Sequence, residues 1–404
     1  MATVETGKQG LCPRDAADVA EIVRARRAPL EPVGLGSKRA IGAPVDADQL
    51  DLSALAGIAA YEPAELVLTA GAATPLDVVE NELARHGQRL AFEPPDFSDL
   101  LGGAEGRAAR QTLGGVLAAN LAGSRRIAAG AARDHFLGFH AVTGDGTPFK
   151  AGGRVVKNVT GYDLPKLLAG SWGTLAVLTD VTVRVAPAPE TEATLVLEVS
   201  DAREAVATLT RALSSPHDVS AAAFDPARGC VLRIEGFEAS VAARVDGLLC
   251  MLGASAADRL TDDASRRLWQ RTGGAAALAA WPLVFRISVP PSDTPRVLDS
   301  LAPERYLLDW GGGLIWAAFN EVDVRRVRGA LREGHATLWK APRSMRESVA
   351  VFPPQAPAVA DLAARVKRAL DPDGRLNPGR MDPPRRAGYE NPPATNATRS
   401  DSGH

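Results

Sequence analysis

Apolar residues along this chain recur first at helical spacing and then in short blocks typical of strands. The spacing predicts a helix over 15–27, with Val19, Ile22 and Val23 on one face and Asp15 as its cap. A strand at 30–33 follows, then short strands at 50–55 and 57–61. A stronger one spans 66–70 and is rich in β-formers. Pro75 opens the next helix, whose apolar face is Leu76, Val79 and Leu83. Residues 89–92 read as a strand ending at Pro94-Pro95. Residues 112–120 read as a helix, and 136–143 with 147–150 as a hairpin closed at Gly144-Asp145-Gly146. A short helix at 162–168 and a strand at 174–185 complete this α/β stretch.

At Pro187-Ala188-Pro189 the pattern breaks, which marks a boundary after residue 187. Residues 188–345 read as a separate α+β unit. Its strands are expected at 193–199, 219–224, 230–235, 283–289, 304–310, 313–319 and 336–340, and its helices at 202–213, 238–252, 263–271 and 322–333. Segment 346–381 carries a helix over 358–370 with Val359, Leu362, Val366 and Leu370 on one face. Residues 382–404 are Pro, Arg, Asn, Ser and Thr without apolar period, which predicts a disordered tail.

Composition narrows the function classes. With 404 residues, 46% apolar and 23% charged, the chain can bury a large core. Its net charge of −2 leaves no nucleic-acid footprint. Cys12, Cys230 and Cys250 lie far apart, which fits neither a disulfide framework nor a metal cluster and points to a reducing compartment. The first ten residues lack the apolar core of a signal peptide, and no apolar run approaches the length of a membrane span. A cytoplasmic protein is expected.

The candidate chemistry lies in glycine turns at 34–38, 71–76, 112–126 and 170–177. Glycine lets backbone N–H groups approach a phosphate or a flat ring, because no Cβ intervenes. The turn Gly34-Leu35-Gly36-Ser37-Lys38 follows a strand, yet Arg39 stands where a Rossmann fingerprint needs its third glycine. Alone it reads as a plain turn more readily than as a ligand loop. Arg125, Arg126 and Arg133 fit phosphate pairing and surface salt bridging equally. Together the four turns favour a nucleotide-type cofactor.

A set of motifs then resembles a known family. Pro32 with Gly34-Leu35-Gly36-Ser37, Gly71 with Pro75-Leu76, Thr112-Leu113-Gly114-Gly115 and Arg133-Asp134 belong to it. So do Gly161-Tyr162-Asp163, Gly170-Ser171-Trp172-Gly173-Thr174-Leu175 and Asp371-Pro372-Asp373-Gly374 with Leu376-Asn377-Pro378-Gly379. The set resembles the FAD-linked oxidases of the vanillyl-alcohol oxidase / p-cresol methylhydroxylase (PCMH) type. The short cap and the run from Val155 to Asp163 look most like the FAD-binding subunits of bacterial glycolate oxidase.

The resemblance implies an α+β fold. A PCMH-type FAD-binding domain of two α/β subdomains would span 1–187, and a small α+β cap with an antiparallel sheet 188–345. Segment 346–381 would return to the FAD domain. Non-covalent FAD is implied, because the first loop has no His or Cys. The loop Gly34, Leu35, Gly36, Ser37 and Lys38 would hold the pyrophosphate through its N–H groups, with Pro32 just before it also in the cofactor-binding set. Thr112, Leu113, Gly114 and Gly115 would line the ribityl chain and isoalloxazine. Gly71, Pro75, Leu76, Asn120, Ser124, Arg125 and Gly173 would complete the cradle. Val177 would contact the flavin nucleotide through its backbone, and Asn377 would return to it from the C-terminus.

Departures from the family pattern bear on catalysis. Trp172 stands where the catalytic dehydrogenases of the group carry glutamate, and the cap has only His217 and His335 where those relatives cluster metal-binding histidines. No metal is expected and no catalytic residue is assigned. Arg343 and Arg346 fit a carboxylate clamp less well than structural cations, and His135 and His140 read as structural. Asp163 beside Tyr162 fits a helix cap. The sequon at Asn158 is a chance match without a secretory signal.

The function implied is an electron-transferring FAD subunit of a complex that oxidises glycolate to glyoxylate. A catalytic flavoprotein subunit and an iron–sulfur subunit would be its partners, with room for peripheral association at the inner face of the membrane. The alternatives are an autonomous FAD-dependent 2-hydroxy-acid (D-lactate-type) dehydrogenase and a non-catalytic scaffold subunit.

Overall fold

The computed structural model describes residues 11–102, 111–153 and 162–382. The run 155–161 with the Asn158 sequon, the N-terminal ten residues and the tail from 383 lie outside the described residues.

Two sheets shape the first half, besides a two-residue pairing of Gln88–Arg89 with Ala186–Pro187. Leu30–Val33 pairs in parallel with Asp48–Asp51, and Leu376 bridges to Leu30 on the other edge. The C-terminal segment is thereby stitched to the first strand. The second sheet has five strands in the order Ile58–Glu62, Val67–Gly71, Ala176–Arg184, Phe136–Thr143, Pro148–Gly152, all paired antiparallel. The helix Ala16–Ala25 forms as its spacing predicts, and the Asp15 carboxylate accepts from the Asp18 N–H as its cap.

The cap carries an eight-stranded antiparallel sheet drawn entirely from 191–340. Period-two alternation gives this sheet two different faces. Phe285, Ile287 and Ala317 bury against the cap's own helices. Val284, Trp316 and Trp339 face the other way and join the core of the first half, beside Phe97 and Trp172. The two halves therefore share one apolar core.

Several expectations need correction. The apolar run 89–92 is strand only over Gln88–Arg89. Leu90, Ala91 and Phe92 are buried in a turn, and an apolar run looks the same in sequence whether it turns or extends. The helix expected at 322–333 is confined to Val324–Gly329. The strand Asp258–Thr261 escaped because a polar edge strand has no apolar alternation to read. The helices Thr294–Leu301 and Arg343–Ser348 were also not legible. The helix Pro357–Leu370 forms as expected, but it buries none of its residues.

Candidate functional site

The turn after Leu30–Val33 lies against the helix Leu113–Ala118. A Cβ on Gly34 would stand 2.9 Å from the Thr112 methyl, and one on Gly115 would stand 2.9 Å from Thr112 Oγ1. Thr112 caps this helix by accepting from Gly115 N–H at 3.2 Å. On the far side, a Cβ on Gly114 would fall 2.6 Å from the Ala72 carbonyl oxygen. These contacts exist because glycine lets three backbone segments meet. Between them lies a cavity with about 800 Å³ of empty space.

One end of the cavity is cationic. Lys38 projects into it and donates to Ser37 Oγ at 3.2 Å, and it makes no ion pair with any described residue. Loss of water around the ammonium pushes Lys38 down to about 7, opposed only by Asp96. Glu31, a carboxylate of the lining, is neutralised by Arg39 at 2.5 Å and Arg380 at 3.5 Å. Arg380 donates to the carbonyls of Lys38 and Ile41, which ties the loop to the C-terminal segment. Burial pushes Arg380 down to about 10.

The other end is aromatic and carbonyl-lined. Trp172 adopts a left-handed backbone, φ 53°, in a turn that only partly suits a bulky residue. Its N–H donates to the Ala118 carbonyl and its own carbonyl accepts from Asn377 Nδ2 at 2.9 Å. Its indole packs against Trp339 and Phe352. Asn377 Oδ1 is buried without a partner and belongs to the lining. An N–H donor of a bound ring would satisfy it.

The structure brings together Pro32, Gly34, Leu35, Gly36, Ser37, Lys38, Thr112, Gly114, Gly115, Gly173, Val177 and Asn377 around this one cavity. It places the other expected residues elsewhere. Leu113 is buried behind the lining. Gly71 and Pro75 shape the turn that delivers Ala72 and Ala73 to the cavity. Leu76 lines a neighbouring recess. Asn120 accepts from the Arg133 N–H.

Ser124 and Arg125 turn towards the cap instead. Ser124 donates to Asp309 at 2.7 Å, and Arg125 pairs with Glu235 at 2.5 Å. In the structure both therefore meet counter-charges within the protein rather than the cavity lining. Arg346 donates to the Gly42 carbonyl and Arg343 pairs with Glu347, so both are structural cations. Asp163 caps the helix Leu164–Leu168. The sequence reading missed Arg380, whose only local signal is its place after Asn377-Pro378-Gly379.

It also missed Arg286, on the cap-sheet face that looks towards Trp172. Its guanidinium lies 4.8 Å from Trp310, 5.6 Å from Trp339 and 5.9 Å from Trp316. Arg286 makes no hydrogen bond or ion pair with described residues. Burial, with Arg126 nearby, pushes it down to about 10.

Comparison with known proteins places this geometry. The family model described as "FAD binding domain" matches residues 9–152. Glycolate oxidase subunit GlcE of Escherichia coli (strain K12) is 35% identical over 359 residues, 88% of this chain and 93% of that protein. The chain belongs to the FAD-linked oxidases of the vanillyl-alcohol oxidase / PCMH type. Glycolate oxidase subunit GlcD of Bacillus subtilis (strain 168) is 38% identical, but over only 26% of this chain and 20% of that protein. Xylooligosaccharide oxidase from Myceliophthora thermophila C1 shares the fold of this FAD-linked oxidase with a TM-score of 0.63. Its identity is 13%, and the match covers 93% of this chain and 91% of that one. Among the described residues no group of three or more His, Cys, Asp or Glu could hold a metal ion, and no helix is long and apolar enough to cross a membrane.

Proposed function

We propose that this chain is the FAD-carrying subunit of a glycolate oxidase complex and passes electrons without itself deprotonating the substrate. The cavity fits the cofactor on its own residues. The amides of the 34–38 loop and Lys38 would hold the pyrophosphate. Thr112, Gly114 and Gly115 would run beside the ribityl chain, and Asn377 Oδ1 and the Val177 backbone would face the ring. The described lining contains no histidine or cysteine, which favours non-covalent FAD. Bound there, FAD would supply two-electron redox chemistry.

The observation that carries the reading is the absence of a free carboxylate or histidine from the described lining, whose one lowered lysine, Lys38, lies at the opposite end from Trp172. Substrate oxidation needs a group to take the hydroxyl proton. Glu31 is ion-paired twice, and Trp172 occupies the ring end. The likeness to GlcE supplies the substrate, and a catalytic flavoprotein and an iron–sulfur protein would be the partners.

Arg286 favours a second reading, that of an autonomous 2-hydroxy-acid dehydrogenase. A guanidinium paired with no described residue, over the rings of Trp316 and Trp339 whose indole N–H groups are buried and unpartnered, could hold a carboxylate. One experiment separates the readings. The chain is purified alone, its flavin is measured by absorbance, and dye reduction by glycolate or D-lactate is assayed. Flavin without turnover is expected. Robust turnover favours the second reading, and absence of flavin sinks both.

A further inference from the structure

Where the cap sheet meets the first half of the chain, two arginines share one indole. Arg286 stands on the cap strand Leu283–Ser288, paired across the sheet with Trp316 on one side and Thr337 on the other. Arg126 comes from the other half, on the short helix Arg126–Ala129. Their guanidiniums lie 4.8 Å and 4.7 Å from the ring centroid of Trp310. Contact with an aromatic face steadies a cation but leaves its charge in place. Both arginines are half-buried, so water screens their mutual repulsion less than it would at an open surface.

No described counter-ion answers these charges. Neither arginine forms an ion pair with any described residue. The carboxylates whose fields reach them are engaged elsewhere. Asp309 accepts from Ser124 Oγ and from the Trp310 N–H, both at 2.7 Å, and burial pushes it up to about 6. Asp134 accepts from the Ala131 N–H at 2.9 Å and lies 4.0 Å from Arg133. Beside the arginines stand more donors, the indole N–H groups of Trp316 and Trp339, buried without a described partner. Unmatched donors of this kind call for an acceptor from outside the chain.

We propose that Arg126 and Arg286 form a binding site for a small dicarboxylate, one carboxylate on each guanidinium. Two cations without an ion-paired carboxylate match two negative charges. The surroundings favour an organic dianion over sulfate or phosphate, because the rings of Trp310, Trp316 and Trp339 suit a short carbon skeleton. A carboxylate also fits the guanidinium fork with two parallel hydrogen bonds. None of these five residues lines the flavin cavity, so the site is separate from the FAD cradle. The inference goes beyond the proposed function, since it requires neither bound flavin nor electron transfer.

The test titrates the full chain by calorimetry with oxalate, malonate, succinate and glutarate, and with acetate and sulfate for comparison. At least one dicarboxylate should bind roughly tenfold or more tighter than acetate or sulfate, as a second charged hydrogen-bond partner allows. The same dicarboxylate should raise the melting temperature in a concentration-dependent way, since it binds across both halves of the folded chain. R286M and R126M should each weaken it by roughly tenfold or more. R286K should recover part of the loss, because it restores the charge without the fork.

Absence of binding by every dicarboxylate overturns the proposal, and so does binding that R126M and R286M leave unchanged. Sulfate bound as tightly as the best dicarboxylate assigns the pair to an inorganic anion. Acetate bound equally well and indifferent to R126M assigns Arg286 alone to a monocarboxylate. Either result overturns the dicarboxylate site. Ligand-free melts show whether each variant folds, and if R286M does not, R126M and R126K carry the same test. Flavin content is measured in the same samples, so failure of the FAD reading and failure of this site are told apart.

Discussion

At the scale of single residues, the cradle depends on what is missing from its side chains. Gly34, Gly114 and Gly115 matter because a Cβ would strike Thr112 or the Ala72 carbonyl. Lys38 matters because its charge forms no ion pair with any described residue. That makes the binding of an anionic cofactor sensitive to pH. Burial holds Lys38 near 7 in the free protein, and a pyrophosphate beside it would raise that value. Below pH 7 the lysine is charged in both states and affinity is greatest. As pH rises through 7 towards the raised value, binding must take up a proton, and affinity falls by up to about tenfold per pH unit. K38M should bind more weakly at about pH 6 and lose this slope. Titration of the chain with FAD, followed by flavin fluorescence, reads both outcomes.

At the scale of elements, the turn at 170–174 links the cradle to the cap. Trp172 keeps a left-handed backbone only because its indole is locked between Trp339 and Phe352, and its carbonyl is held by Asn377. W172A should cost about 3–5 kcal/mol, the usual cost of removing a buried aromatic side chain. It should also loosen the bound flavin, since the same residue lines the cavity. Thermal melts and flavin release on dilution check the two effects separately. An effect on stability alone would show that the indole serves only as packing.

At the scale of the whole molecule, a buried ionic cluster clamps the cap to the FAD-binding half. Glu235 of the cap strand Gly229–Gly236 receives Arg125 and Arg89, and the fully buried Arg233 grips Glu93 at 2.7 Å. Burial by itself would raise both carboxyls. For Glu235 the guanidiniums of Arg233, Arg125 and Arg89 outweigh it and hold the group far below its ordinary value of 4.5. Glu93 is lowered likewise by Arg233 and Arg125. Stability from these pairs is complete above pH 4.5 and is lost as pH falls through the depressed values. E235A should cost about 3–5 kcal/mol near neutral pH, because it strands buried arginines. The gap to wild type should narrow in acid, which circular dichroism melts from about pH 7 to about pH 3 would reveal.

These scales separate what one dimension can carry from what it cannot. The glycine turns at 34–38 and 112–115, the Asp15 cap, the Asp145-Gly146 hairpin and the cap strands other than Asp258–Thr261 were readable, because turn chemistry and periodicity are local. Arg125 was not readable as a structural ion, because its partner Glu235 lies 110 residues away. Arg286 and Arg380 carry no motif, and only sheet packing and the return of the C-terminal segment bring them to the site. The stripe on Pro357–Leu370 was legible, but whether anything covers it depends on what the fold places opposite. By itself the sequence determined the cofactor class and the elements that cradle it, since both rest on neighbouring residues. The tertiary structure alone decided which charges face the cavity, which neutralise each other and which apolar face stays exposed, because those outcomes depend on distances between segments far apart in the chain.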